Sequence, residues 1–144
     1  MPLQFFLIVN RHGQTRLAQY YTERPKLEER QKLENELIRQ CIGRNEDMSF
    51  TFRYGNLKII YKRYLAIYAI AGVDDDYNEL EALSLFDFYF QTLSEYFGTL
   101  TESHILYNEA QSYAILNEIV VDGEVVETAR PIIISFMNSA FPNQ

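Results

Sequence analysis

The chain is short of the residues on which most site chemistry depends. It has no tryptophan, two histidines and one cysteine in 144 residues. A lone cysteine cannot close an internal disulfide, and Cys41, beside Leu37, Ile38 and Ile42, is expected to be a buried small hydrophobe in a reducing compartment rather than a reactive thiol. His12 and His104 have neither HxxxH spacing nor a cysteine partner, so no metal site is expected. Positive charge is also scarce. Thirteen Lys and Arg against twenty Asp and Glu leave a formal charge of −7, which repels phosphate backbones and argues against nucleic acid as a partner. No apolar run approaches the roughly twenty residues that a spanning helix needs. The first residues carry no basic leader or cleavage site, so a cytoplasmic chain without direct membrane insertion is expected. The GxxxxGK[ST], GxGxxG and GxSxG patterns are absent, and Glu34 and Glu36 diverge by about 200° on a helix, too far to act as an acid pair. No catalytic residue, cofactor or metal is therefore expected, and the chain is not read as an enzyme.

What is present is a globular composition with an aromatic excess. Hydrophobic residues make up 47% and charged residues 23%, so disorder and low complexity are excluded, and the length suits one domain spanning residues 1–144. Ten Phe and eleven Tyr supply flat amphipathic area of the kind used in cores and protein interfaces.

The pattern along the chain alternates strands and helices. Leu3 to Val9 is apolar on both alternating faces, as in a central strand covered on two sides, and Asn10-Arg11-His12-Gly13 turns it into a strand from Thr15 to Tyr21. Pro25 suits the first turn of a helix whose face is Leu33, Leu37, Ile38, Cys41 and Ile42. Met48, Phe50, Phe52 and Tyr54 alternate with polar residues, Gly55-Asn56 turns the chain into Leu57 to Arg63, and Leu65 to Val73 is again strand-like. Asp76 and Glu79 have the spacing of a helix cap, which accounts for Asp74-Asp75-Asp76 better than a metal loop does.

The helix from Tyr77 to Phe97 carries two apolar stripes: Leu83, Phe86, Phe90, Leu93 and Phe97, and then Leu85, Tyr89 and Tyr96. One sheet cannot cover both. The second stripe is either sandwiched within the fold or is a partner interface. Glu102 to Tyr107 forms a short helix, Asn108 with Gln111 caps another to about Glu118, Asp122-Gly123 is a tight turn, and Pro131 starts a last helix. This order implies an antiparallel sheet with helices on its faces, an α+β architecture.

Several segments then resemble one family, in order along the chain. Asn10-Arg11-His12-Gly13-Gln14-Thr15-Arg16-Leu17-Ala18-Gln19-Tyr20-Tyr21 resembles the opening hairpin of the small, or sigma, subunits of heterotetrameric clathrin-adaptor complexes. Ile59-Ile60-Tyr61-Lys62-Arg63-Tyr64 is similar to the family's I-I-Y-R-R-Y segment and Leu93-Ser94-Glu95-Tyr96-Phe97 to its L-x-E-Y-F helix end. Leu116-Asn117-Glu118-Ile119, with Gly123, Glu127 and Thr128, is similar to its C-terminal L-x-E-M and G-x-x-x-E-T elements.

The resemblance implies a longin-like five-stranded antiparallel sheet flanked by helices. It implies a large adaptin-like partner and, through it, a medium subunit and a second large subunit, on coated membranes of the plasma membrane or the Golgi and endosomes. In cargo-binding members the small subunit holds an acidic dileucine peptide. The matching positions here are Arg16, Leu65, Ile67, Phe90, Thr99, Leu100 and Ile105, with Arg16 for the acidic residue unless it is only a solvated hairpin charge. Leu65 and Phe90 stand where such members have smaller residues, so a filled pocket and a mainly structural subunit are expected. The sigma-like scaffold subunit of the TSET, or TPLATE, complex is the alternative within the class, with the zeta subunit of the COPI coat a further relative. A longin-domain regulator of GTPases or SNAREs is the alternative outside it.

Overall fold

A computed structural model of the chain describes residues 3–23, 25–44, 50–64, 66–126 and 128–142. The first strand, β1 (Phe5–Asn10), is buried along its whole length. It turns through Gly13, at φ 88°, into β2 (Thr15–Tyr20). Helix α1 (Leu27–Gly43) follows, and then β3 (Thr51–Tyr54), β4 (Leu57–Tyr64) and β5 (Ile67–Val73). The five strands form one antiparallel sheet in the order β2-β1-β5-β4-β3. The expected α+β, longin-like sheet is thus the one observed.

The double-sided apolar pattern of β1 has a direct counterpart in the layers. Phe5, Leu7 and Val9 pack with Leu33, Leu37, Ile38 and Cys41 of α1 on one face of the sheet. Phe6 and Ile8 face the other layer, built from α2 (Glu79–Phe97), α4 (Glu109–Ile119) and α5 (Arg130–Ala140). Between α2 and α4 lies the short α3 (Glu102–Tyr107), and between α4 and α5 a ribbon of β6 (Val120–Val121) and β7 (Glu124–Val125). Its turn places Asp122 and Gly123 at φ 51° and 84°, as a two-residue hairpin turn with both central residues left-handed requires.

The layers correct several expectations. The second stripe of α2 is closed by this chain itself: Leu85 and Tyr89 are buried in the core that α4 and α5 share, Tyr96 packs against it, and Tyr89 Oη donates to the Ser112 carbonyl at 2.9 Å. The partner face expected at Leu85, Tyr89 and Tyr96 is therefore occupied by the chain's own helices, the sandwiched alternative. Helix α2 is capped by Asn78, whose Oδ1 accepts from Leu80 N at 2.9 Å, and not by Asp76 with Glu79; Glu79 is already the first helical residue. Asn108 precedes α4 as expected, but its side chain makes no cap hydrogen bond. Pro25 lies two residues ahead of α1 rather than in its first turn, and Ile42 points away from the sheet at 39% exposure. Met48, expected to open β3, lies outside the described residues, and β3 begins after Phe50.

Candidate functional site

An open cleft of about 820 Å³ lies on the α2 side of the sheet. Tyr64, Ala66 and Ile67, at the junction of β4 and β5, supply one wall; Asp87, Phe90, Gln91 and Ser94 of α2 supply another. Leu100, Thr101 and Glu102, where the chain leaves α2 for α3, and Arg130 at the start of α5 complete it. These elements converge because Gly98 ends α2 at φ 93° and Thr101 caps α3 by accepting from His104 N, which swings Leu100 back over the cleft. The volume lies in the range of sites that hold short ligands, and the lining is largely apolar with a few polar groups at the rim.

Those rim groups are paired to different degrees. Arg16, on β2, donates from Nε to Glu102 Oε2 at 2.7 Å and from Nη2 to Gln14 Oε1 at 2.9 Å. Buried Asn10 anchors the same cluster: its Oδ1 accepts from the His12 and Gln14 backbone amides, and its Nδ2 donates to Gln14 Oε1 and to Glu102 Oε2. The bonds from Asn10 and then Arg16 hold the Glu102 carboxyl below its ordinary pKa. Asp87 accepts from the Tyr64 hydroxyl and, at 2.9 Å, from Lys62 Nζ, which lowers its pKa, while burial and then Asp87 raise that of Tyr64. Arg130 is held differently. Its Nη2 donates to the neutral Gln91 amide oxygen at 2.7 Å, its guanidinium lies 5.4 Å from the Phe88 ring centroid, and Glu95 Oε2 is 3.7 Å from Nε.

The positions expected to hold a dileucine peptide are only partly brought together. Ile67, Phe90 and Leu100 line the cleft. Ile105 is fully buried in the core and Thr99 is exposed beside the cleft, so neither lines it, and Leu65 lies outside the described residues. Arg16 is not a solvated hairpin charge: its side chain is 21% exposed and paired with Glu102. Phe90 does not fill the cleft, because its ring turns onto Tyr64, with centroids 4.2 Å apart, and leaves the space beside it open. Asp87, Glu102 and Arg130 escaped the sequence reading. Arg130 had a signal of its own, since a cation at a helix start opposes the helix dipole and must find support elsewhere.

A second groove of about 550 Å³ lies between α2 and the β6-β7 ribbon, where Leu80, Leu85, Phe88, Val125 and Val126 meet. Leu80 is 69% exposed and Val125 47%. Burial pushes the Cys41 thiol up to about 12, and among the described residues no group of three or more His, Cys, Asp or Glu side chains gathers. No helix among the described residues is long and apolar enough to cross a membrane.

The family model described as clathrin adaptor complex small chain matches residues 2–140. The chain belongs to that family. The adaptor small chain is 41% identical over 135 residues to the AP-4 complex subunit sigma of Arabidopsis thaliana, with 94% of each chain covered. It is 36% identical over 133 residues to the human AP-4 complex subunit sigma-1, with 92% of each covered. Among structures, it is similar to a chain of a homology model of the full-length AP-3 complex in a stretched open conformation, with TM-score 0.76, 26% identity, and 96% and 92% of the two chains covered. The chain is thus a sigma-type subunit of a multi-subunit adaptor complex, and these relatives are named as subunits rather than as enzymes.

Proposed function

We propose that the chain is the structural small subunit of a heterotetrameric adaptor of the AP-4 type, acting in vesicle-mediated protein transport on the cytoplasmic side of coated membranes, those of the plasma membrane or of the Golgi and endosomes. The observation that carries this reading is the family match over residues 2–140, joined to the AP-4 names of both relatives. The partner is a large adaptin-like chain and, through it, a medium and a second large chain. The groove between α2 and the β6-β7 ribbon supports such a contact, because it presents Leu80 and Val125 to solvent beside a buried floor. Affinity purification from its own cells should recover two large chains and one medium chain in equal amounts. Recovery of a GTPase or a SNARE instead would replace the adaptor reading with that of a stand-alone longin regulator.

The cleft favours a second activity of the same subunit: holding a short peptide with two adjacent large apolar residues, of the dileucine kind. Burying two leucine side chains yields about 1.5 to 3 kcal/mol each, before the costs of ordering the peptide, so a dissociation constant no tighter than about 0.1 mM is expected. Ser94→Trp, on a half-buried residue of the cleft wall, should abolish binding measured by calorimetry on the assembled complex while leaving assembly intact. Unchanged binding in that variant would move the peptide elsewhere.

A further inference from the structure

We propose that Tyr113 is an autoinhibitory contact at the open edge of the sheet: its hydroxyl occupies the pairing groups of β2 and keeps a second copy of this chain from adding there. The proposal rests on the sheet alone and not on the adaptor reading. β2 ends the order β2-β1-β5-β4-β3 and therefore has one side without a neighbouring strand. Tyr21 N donates to the Gln4 carbonyl across the ladder, and in an antiparallel pair such bonds fall on alternate residues. Leu17 and Gln19 thus bond toward β1, while Ala18 and Tyr20 turn their N–H and C=O groups outward. At Ala18 both groups are taken by one atom: Ala18 N donates to Tyr113 Oη at 2.9 Å, and Tyr113 Oη donates to the Ala18 carbonyl at 3.0 Å. A residue on an opposed strand would make the same two bonds.

The rest of β2 has little else to keep a strand away. Edge strands are usually protected by proline, charge, shortness or a bulge. β2 runs for six residues without proline, and its one charged residue, Arg16, is paired with Glu102. The slip in register between Ile8 and Val9 falls at the Arg16 end and leaves residues 17–20 regular. The opposite edge differs: β3 has four residues, Arg53 stands exposed on it, and Arg44 Nη2 lies 3.5 Å from the Thr51 carbonyl oxygen. A second copy centred antiparallel on Ala18 would set Arg16 opposite Tyr20 and Leu17 opposite Gln19, so no like charges meet and the side chains do not oppose pairing. Tyr113 opposes it. Its ring packs against the core that holds Ile115 and Leu116 of α4, so the hydroxyl is already in place and satisfies the edge without further ordering. An incoming strand must first displace it.

The experiment is sedimentation of the full chain over a range of concentrations, with Tyr113→Leu, which keeps an apolar side chain on the core but removes the hydroxyl and its reach. The dimerisation constant should rise on the order of tenfold or more over wild type, the size of the freed hydrogen bonds. Adding Ala18→Pro should cancel the rise, because the Ala18 N–H faces away from β1 and its loss leaves the β1-β2 ladder whole. Adding Leu80→Arg instead should leave the rise intact, since Leu80 lies in the groove beside the β6-β7 ribbon and any association through that apolar surface is a separate one. No rise, a rise that survives Ala18→Pro, or a rise that Leu80→Arg removes each overturns the proposal. Should Tyr113→Leu fail to fold, Tyr113→Phe keeps the ring and carries the test. Its Ala18 amide should exchange with solvent about tenfold faster and its dimer should gain population. Unchanged exchange, or faster exchange without more dimer, overturns the proposal as well.

Discussion

At the scale of single residues, capping shows how narrowly sequence spacing misses. Asp76 and Asn78 are two positions apart and both types cap helices, yet only the Asn78 side chain accepts a first-turn amide, that of Leu80. Asn78→Ala should cost about 1 kcal/mol in denaturant unfolding and Asp76→Ala less than about 0.5 kcal/mol; equal costs would return the cap to Asp76. Glu102 illustrates a residue whose role was illegible because its partners, Asn10 and Arg16, are remote in sequence. Its folded pKa is lowered from the ordinary 4.5, so the pairing stabilises the fold fully above that value and is lost as pH falls through the depressed one. Melting curves of wild type and Glu102→Gln should therefore differ at neutral pH and converge in acid, and a gap that widens on acidification would contradict the pairing. Arg16 itself was legible as a motif position, but its commitment to Glu102 was not.

At the scale of elements, strands were read well and helix faces less so, for a physical reason. A strand apolar on both faces, such as β1, has one solution, a central place with a layer on each side, and it takes that place between β2 and β5. A helix with two apolar stripes has two solutions, another chain or its own, and periodicity does not distinguish them; α2 is covered by α4 and α5. The same limit hid the cleft, whose walls come from four separated stretches of sequence. Close packing within the sheet supplies a sharper test. Gly72 on β5 stands opposite Phe5 on β1, and a Cβ there would lie 2.3 Å from the Phe5 ring. That ring is fully buried under α1, so it cannot swing clear. Gly72→Ala should destabilise by about 1 to 3 kcal/mol, the usual cost of overpacking. Gly55→Ala is the contrast: it meets no atom within 4 Å, and its cost arises only from its φ of 60°. Shortening the ring with Phe5→Leu should recover part of the Gly72→Ala loss, and purely additive costs would show that the clash lies elsewhere.

At the scale of the whole molecule, the charge of −7 and the exposed apolar residues pull in opposite directions. Net charge keeps molecules apart, but Leu80 and Val125 at the groove, and Ile132 and Phe136 four residues apart on α5, remain exposed to water. The sequence announced an excess of aromatic and aliphatic surface but set it on the wrong stripe of α2, because the residues that stay outside are the ones the chain's own helices fail to reach. A subunit that is completed by a larger chain is expected to show this distribution, and its stability is then linked to that chain by mass action. Expressed alone, the protein should bind a hydrophobic dye and self-associate, and co-expression with the large adaptin-like chain should suppress both. Leu80→Arg, at a position 69% exposed, should change the unfolding free energy by less than about 0.5 kcal/mol yet weaken co-purification. A monodisperse, cooperatively folding monomer that ignores the dye and captures no large chain would show that these residues are ordinary surface and that the molecule is complete by itself.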